Sequence, residues 1–216
     1  MMTATRSTIT TCPDWVDDVP ADLEVQFRSG LRAAYATIRV SASQAYLTDR
    51  ELRAWHKSMF DGLTPIDYYA GEFRQDDPTR ACLGIDNQVG MIAGCPFRLV
   101  VGRMEFLLRR IRLSLSTTEV RWSNLTPSER GQQVAIVLAG LIGGFIRIHP
   151  FINGNGRVSR LMWAWGLLRF NVPAQCRIHP RPGSPYSVLM AASMSGDDGP
   201  LAVAILQHLA AHNPAV

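Results

Sequence analysis

A chain of 216 residues, 47% of them hydrophobic, can bury one good core, and a single domain is the default for it. Its formal net charge of +4 suits a site for anionic phosphates as well as it suits nucleic acid, and selects neither. Cys12, Cys82, Cys95 and Cys176 are scattered without a CxxC pair or neighbouring histidines, which argues against a disulfide framework or a zinc site and for a reducing cytoplasm.

The threonine-rich start lacks the apolar core of a signal peptide, and no uninterrupted apolar run is long enough to span a membrane. Residues 1–20 therefore read as a loose arm, and residues 21–212 as one domain. Leu23, Phe27, Leu31, Tyr35 and Ile38 fall on one helical face. Thr48 and Glu51 form a capping box that opens a helix carrying Leu52, Trp55, Met59 and Phe60, and Asp61-Gly62 ends it. His56, among charged neighbours on this helix, reads as an ordinary surface or half-buried histidine.

Residues 80–96 change pattern. Cys82, Ile85, Val89, Met91 and Ile92 alternate poorly with Gly84, Asn87, Gly90 and Gly94, which suggests a short irregular β-hairpin, an ordinary loop being the alternative. Val100, Val101, Met104, Leu107, Leu108 and Ile111 restore a helix, with Arg98, Arg103, Arg109, Arg110 and Arg112 along its other side. Without exposed aromatics between them to stack bases, these arginines read as a solvated face, and nucleic acid is not an expected partner.

Thr126, Pro127 and Glu129 mark another helix start, followed by Val134, Val137, Leu138, Leu141, Phe145 and Ile148 at helical spacing. Gly140, Gly143 and Gly144 cost helix stability and suit close approach by a neighbour. Pro150 disfavours helical geometry at His149, so this helix should stop there. Leu161, Ala164, Trp165 and Leu168 begin a second helix near Arg157, stopped at Asn171 and Pro173. Two closing helices cover residues 186–194 and 201–209. The expected fold is all-α, a compact helical bundle with one small hairpin.

The junction between the two helices concentrates the chemistry. In His149-Pro150-Phe151-Ile152-Asn153-Gly154-Asn155-Gly156-Arg157-Val158-Ser159-Arg160, the glycines Gly154 and Gly156 admit a ligand close to the main chain. Free N–H groups at the start of the second helix favour negative charge there. Arg157 and Arg160, three apart, can each grip phosphate oxygens with paired donors. Together they make a phosphate cradle. His149 is the natural general base, because its ordinary pKa lies near neutrality.

This segment resembles the His-Pro-Phe-x-(Asp/Glu)-Gly-Asn-Gly-Arg-x-x-Arg signature of the Fic (Fic/Doc) family, and Tyr69-Ala70-Gly71-Glu72-Phe73-Arg74 resembles a second family feature. The likeness extends over residues 49–209. It implies a helical fold and transfer of AMP from ATP to a Ser, Thr or Tyr hydroxyl of a target protein. His149 would be the base, and Gly154, Asn155, Gly156, Arg157 and Arg160 would bind the nucleotide phosphates. Phe151 would plug into the core. Arg74 would either reach the site or pair with a carboxylate such as Glu72, and Tyr186 would lie near the nucleotide base.

The resemblance also makes residues 80–96 a flap that holds the target segment by strand pairing. It departs at Asn153, which stands where active relatives carry a magnesium-binding carboxylate. An amide can ligate the ion but brings no charge, so Asn153 is a weak magnesium candidate, with Asp86 and Asp198 as substitutes. Weakened AMP transfer, a different phosphate-containing donor and a silent phosphate- or protein-binding module all stay open. Asn153→Asp would, on this reading, strengthen the metal site and raise activity. The family's inhibitory Ser/Thr-x-x-x-Glu-Gly helix has no counterpart around Glu24 or Glu51, so a separate antitoxin-like protein would regulate the site, or a weakened site needs no brake.

Overall fold

Reciprocal capping fixes two helix starts. Glu129 N–H donates to Thr126 Oγ1 at 3.3 Å while the Glu129 carboxylate accepts from Thr126 N–H at 2.8 Å, and Thr48 with Glu51 repeats the arrangement. The computed structural model describes residues 12–15, 19, 21–89, 91–173, 178–179 and 182–212. Among these are seven α-helices: α1 (Glu24–Ser41), α2 (Asp49–Phe60), α3 (Phe97–Arg121), α4 (Pro127–Ile148), α5 (Asn155–Arg169), α6 (Tyr186–Met194) and α7 (Gly199–His212). The single sheet among the described residues is a hairpin of β1 (Gln88–Val89) and β2 (Ile92–Ala93), antiparallel, with Gln88 opposite Ala93. The protein is all-α apart from this hairpin.

Helix α4 is the centre, packed on α3, α5, α6 and α7. It is long and apolar enough to cross a bilayer, with a mean hydropathy of 1.5, against the expectation of no such run; here 72% of that window is buried as core. Its glycines admit specific neighbours. A Cβ on Gly144 would strike the Leu107 side chain of α3, and one on Gly143 would strike Asp198, which pairs with Arg147 at 2.7 Å. On the other side, α1 and α2 cross where Gly30 meets the Ser58 backbone, and Ser58 Oγ donates to the Gly30 carbonyl at 2.9 Å.

Arg74 joins the hairpin to the end of α4. Its side chain is fully buried and donates to four backbone carbonyls: His149 at 2.9 Å, Ile148 at 3.0 Å, Ile85 at 3.0 Å and Cys95 at 2.8 Å. Its own N–H donates to the Pro150 carbonyl at 2.7 Å. Arg74 therefore does not enter the site; its carboxylate partner is Asp86, 3.8 Å away, rather than Glu72, whose carboxylate meets Arg53 and Arg80. Asn87 adds a second tie, donating to the Phe151 and Ile152 carbonyls at 2.9 and 3.0 Å. The hairpin is thereby fastened to the motif loop at both ends.

Three expectations need correction. Cys12 and Cys82 form a disulfide, their Cα atoms 5.4 Å apart after a separation of 70 residues that carries no spacing signal. The described part of the N-terminal arm, residues 12–15, is pinned rather than loose, because Trp15 is buried against His56, Phe60 and Tyr69. An aromatic is exposed among the arginines of α3: Phe106 projects outward with Leu99 and Leu113.

Two substitutions test this framework. A Cβ on Gly30 would lie 1.9 Å from the Ser58 carbonyl oxygen, so Gly30→Ala should cost about 1–3 kcal/mol through forced separation of α1 and α2. Arg74→Lys removes the planar fork and leaves buried carbonyls unpaired, so about 3 kcal/mol or more should be lost. Urea denaturation reads both, and an Arg74→Lys loss below about 1 kcal/mol would show that the carbonyls find other donors.

Candidate functional site

The loop between α4 and α5 begins with a strained residue. His149 caps α4 in the left-handed conformation, at φ 52° and ψ 60°, which costs a non-glycine residue on the order of 1 kcal/mol or more. Pro150 and the Arg74 donors hold it there. Its Nδ1 lies 3.3 Å from the Ile146 carbonyl, an acceptor, so Nδ1 carries the proton and Nε2 keeps a lone pair. Burial pushes the pKa of His149 down to about 4, and the Arg74 charge pushes in the same direction. The imidazole is neutral throughout the physiological range.

Phe151 turns inward as expected, fully buried and stacked on His56 at 3.8 Å. Asn155 holds it there: Oδ1 accepts from Phe151 N–H and Nδ2 donates to Phe151 O, both at 2.9 Å. The Asn155 side chain is thus a loop staple, and only its backbone N–H can meet a ligand. Gly154 is the one glycine of the pair with a special conformation, at φ 75°, and an added Cβ would sit 2.5 Å from the Phe60 ring. Gly156 is ordinary helix.

Helix α5 starts at Asn155, two residues earlier than its apolar pattern suggests, so Arg157 lies in its first turn and Arg160 in the next. The N–H groups of Asn155 and Gly156 precede the first intrahelical acceptor. Gly154 N–H is already committed, to Asn153 Oδ1 at 2.7 Å. The Arg157 guanidinium lies over Phe27 and Phe60, 4.9 and 5.7 Å from the ring centroids. Arg160 is buried, donates Nε to the Ile178 carbonyl at 2.7 Å and lies 5.5 Å from the Tyr186 ring. The arginines are therefore rigid and preplaced.

His149, Asn153, Gly154, Asn155, Gly156, Arg157 and Arg160 all border one cavity of about 550 Å³, roofed by Gln88 and Val89 of the hairpin and by Tyr186, Met190 and Met194 of α6. That volume suits a nucleotide-sized ligand. Tyr186 faces it with its hydroxyl 2.9 Å from Ser159 Oγ. A second cavity of about 460 Å³ lies across the hairpin, lined by Leu99, Arg103 and Arg110, but contains no histidine.

Magnesium fits this donor set poorly. No carboxylate borders the cavity among the described residues. Asp86 accepts from Phe97 N–H at 2.7 Å, capping α3, and Asp198 pairs with Arg147. Asn153 is spent as well: Oδ1 accepts from Gly154 N–H, Nδ2 donates to the Trp15 carbonyl at 2.8 Å, and its own carbonyl accepts from His56 Nε2 at 3.0 Å.

His56 was read from sequence as an ordinary histidine, yet it supports the whole loop. Gly71 N–H donates to its Nδ1 at 2.9 Å, so Nε2 carries the proton given to Asn153. Complete burial lowers its pKa to about 3. The Phe60 and Phe151 rings around it were visible as apolar positions; nothing in the spacing linked His56 to residue 153.

Comparison with known proteins agrees with the geometry. The family model described as "Fic/DOC family" matches residues 46–167. No curated protein matches significantly. Among solved structures, a Fic domain containing signaling protein from Bacteroides thetaiotaomicron superposes with a TM-score of 0.60 at 16% identity, covering 88% of this chain and 71% of its own. A Fic family protein from Desulfovibrio desulfuricans gives 0.58 at 22% identity, over 90% of this chain and 53% of its own. The BepC protein of Bartonella tribocorum, a VirB-translocated effector with bound AMPPNP, gives 0.55 at 13%, over 87% and 86%. At these identities the superpositions establish the fold, while the family model spans more than half of the chain. The chain belongs to the Fic/DOC family.

Proposed function

We propose that this protein is a nucleotidyltransferase that moves AMP, or another phosphate-containing group, from a nucleotide to a hydroxyl of a target protein. The observation that carries this reading is the meeting of one neutral histidine with two preplaced arginines at a helix N-terminus, in a single nucleotide-sized cavity. His149 Nε2 takes the proton of a Ser, Thr or Tyr hydroxyl, whose oxygen bonds to the α-phosphorus. The bond to the β-phosphate oxygen breaks and pyrophosphate leaves. The Asn155 and Gly156 N–H groups face developing negative charge on the α-phosphate, and Arg157 and Arg160 hold the departing phosphates. The relative with bound AMPPNP supports a nucleoside triphosphate as donor.

Target binding is proposed to run through the hairpin, where an extended segment pairs with a strand edge and brings its hydroxyl beside His149. An antitoxin-like protein is the proposed regulator and the cytoplasm the proposed compartment, although the Cys12 and Cys82 bond removes the cysteine argument for the latter. The absence of carboxylates around the cavity, among the described residues, favours a second reading: a donor or ligand bound through arginines alone, with or without turnover.

Labelled ATP, GTP, UTP and CTP incubated with the protein and lysate should label a target, and His149→Ala should abolish the label. Arg157→Ala and Arg160→Ala should each weaken nucleotide binding by about 1.5–3 kcal/mol, roughly ten- to a hundredfold. Binding without product in every case would select the silent module. The pH profile gives an independent check. With His149 near 4, its base form is complete above about pH 5, so the rate should stay level from pH 8 to 5 and fall below that. A midpoint near 6.5 would show that His149 is not desolvated. Stability must be followed alongside: neutral His56 favours the fold fully above pH 6.5, and that contribution is lost as pH falls from 6.5 towards 3.

A further inference from the structure

Asn153 lies where a metal-binding carboxylate would be expected, yet its carbonyl and both polar atoms of its side chain are committed inside the protein. Its carbonyl accepts from buried His56, its Oδ1 accepts from Gly154 N–H, and its Nδ2 donates to the backbone carbonyl of Trp15, 138 residues away. The last bond needs a donor. A carboxylate at 153 would set oxygen against oxygen at the 2.8 Å now spanned by an N–H.

The other end of that bond is itself anchored. Cys12 is disulfide-bonded to Cys82, which is buried. Tyr69 donates its hydroxyl to the Pro13 carbonyl at 3.3 Å and its ring stacks with Trp15 at 6.2 Å. The Trp15 indole meets Phe60 and His56 edge-on at 5.1 and 5.9 Å. These are the same two side chains that leave no room for a Cβ on Gly154. The N-terminal segment and the phosphate loop therefore rest on one shared surface of α2.

We propose that residues 12–15 are a latch for the phosphate loop, in which Trp15 is a positioning residue acting through Asn153 and the Cys12 and Cys82 bond keeps the latch closed. Asn153 is then a structural donor rather than a metal ligand. With the latch closed, Asn153 Oδ1 is aimed at Gly154 N–H, and the turn at Gly154 presents the Asn155 and Gly156 N–H groups to phosphate. A dithiol reductant opens it: two electrons and two protons pass to the sulfurs of Cys12 and Cys82, giving two thiols, and the dithiol closes to its own disulfide. Cys12 is only half-buried and is the accessible end of the bond. Trp15 then loses its covalent anchor, and the loop a hydrogen bond at its most constrained turn.

The proposal rests on the nucleotide reading of the cavity, so its test has a readout that needs no nucleotide. Hydrogen exchange of residues 153–157 should accelerate about tenfold when the full chain is treated with dithiothreitol, as expected for one lost hydrogen bond in a local opening. Cys12→Ser should reproduce the effect without reductant and Trp15→Ala should approach it. In the Asn153→Ala variant the exchange should already be fast, and reduction should add nothing, which is the non-additivity of two changes in one path. ATP affinity by calorimetry should follow, falling about fivefold in each case. Asn153→Asp should weaken ATP binding too, contrary to a restored metal site.

Equal exchange in oxidised and reduced protein, or a reduction effect that persists in Asn153→Ala, overturns the latch. So does an Asn153→Asp variant that binds ATP more tightly with magnesium than wild type. If exchange responds as expected but ATP does not bind at all, the latch stands and the nucleotide reading falls. Cys12→Ser changes only the half-buried end of the disulfide, so the test survives even if Asn153→Ala fails to fold.

Discussion

One buried guanidinium sets the geometry on which the site depends. Helix α4 ends in a left-handed histidine, and a chain leaving a helix this way exposes carbonyls that need donors. Arg74 supplies them, satisfying Ile148 and His149 with one side and the hairpin carbonyls of Ile85 and Cys95 with the other. Because the guanidinium is planar and rigid, it fixes the distance between hairpin and helix end as well as saturating them. Burial pushes its pKa down, but an arginine stays charged even so. That retained charge helps hold the nearby His149 neutral.

The loop beyond His149 shows how side-chain and backbone contacts fix a short segment between two helices. Each residue from 151 to 154 is held by a different device: Phe151 by stacking and by the Asn155 amide, Ile152 by Asn87, Asn153 by Trp15 and His56, and Gly154 by the wall of Phe60. Preorganisation of this kind lets the N–H groups of α5 meet charge without first being ordered, which is where electrostatic catalysis gains most. Arg157, lodged over two phenylalanine rings, and Arg160, tied to the Ile178 carbonyl, are held in the same way beside the proposed position of the phosphate tail.

Much of this was legible in the residues. Pro150 marks the end of α4, Thr126 with Glu129 its beginning, and the span of the first closing helix is readable to the residue. Those signals are local, carried by caps and backbone restrictions within a turn of the feature they specify. What stayed hidden is long-range. The Arg74 contacts with α4 span about 75 residues, the Trp15 contact with Asn153 spans 138, and Cys12 reaches Cys82 across 70. Composition could not show that Asn153 is more valuable as a donor than as an acceptor, since that depends on a carbonyl brought from the opposite end of the chain.

The two histidines of the site carry the same argument to its chemistry. Both are desolvated, and both are held far below the usual imidazole range, so a low pKa alone does not single out the base. Hydrogen-bond accounting supports the proposed choice of His149. His56 has both ring nitrogens spent, Nδ1 accepting from Gly71 and Nε2 donating to Asn153, and it can neither take nor give a proton without breaking the loop. His149 has spent only Nδ1, on Ile146, and it borders the cavity with one lone pair left. The first histidine makes the loop stiff because it is saturated; the second can serve as a base because it is not.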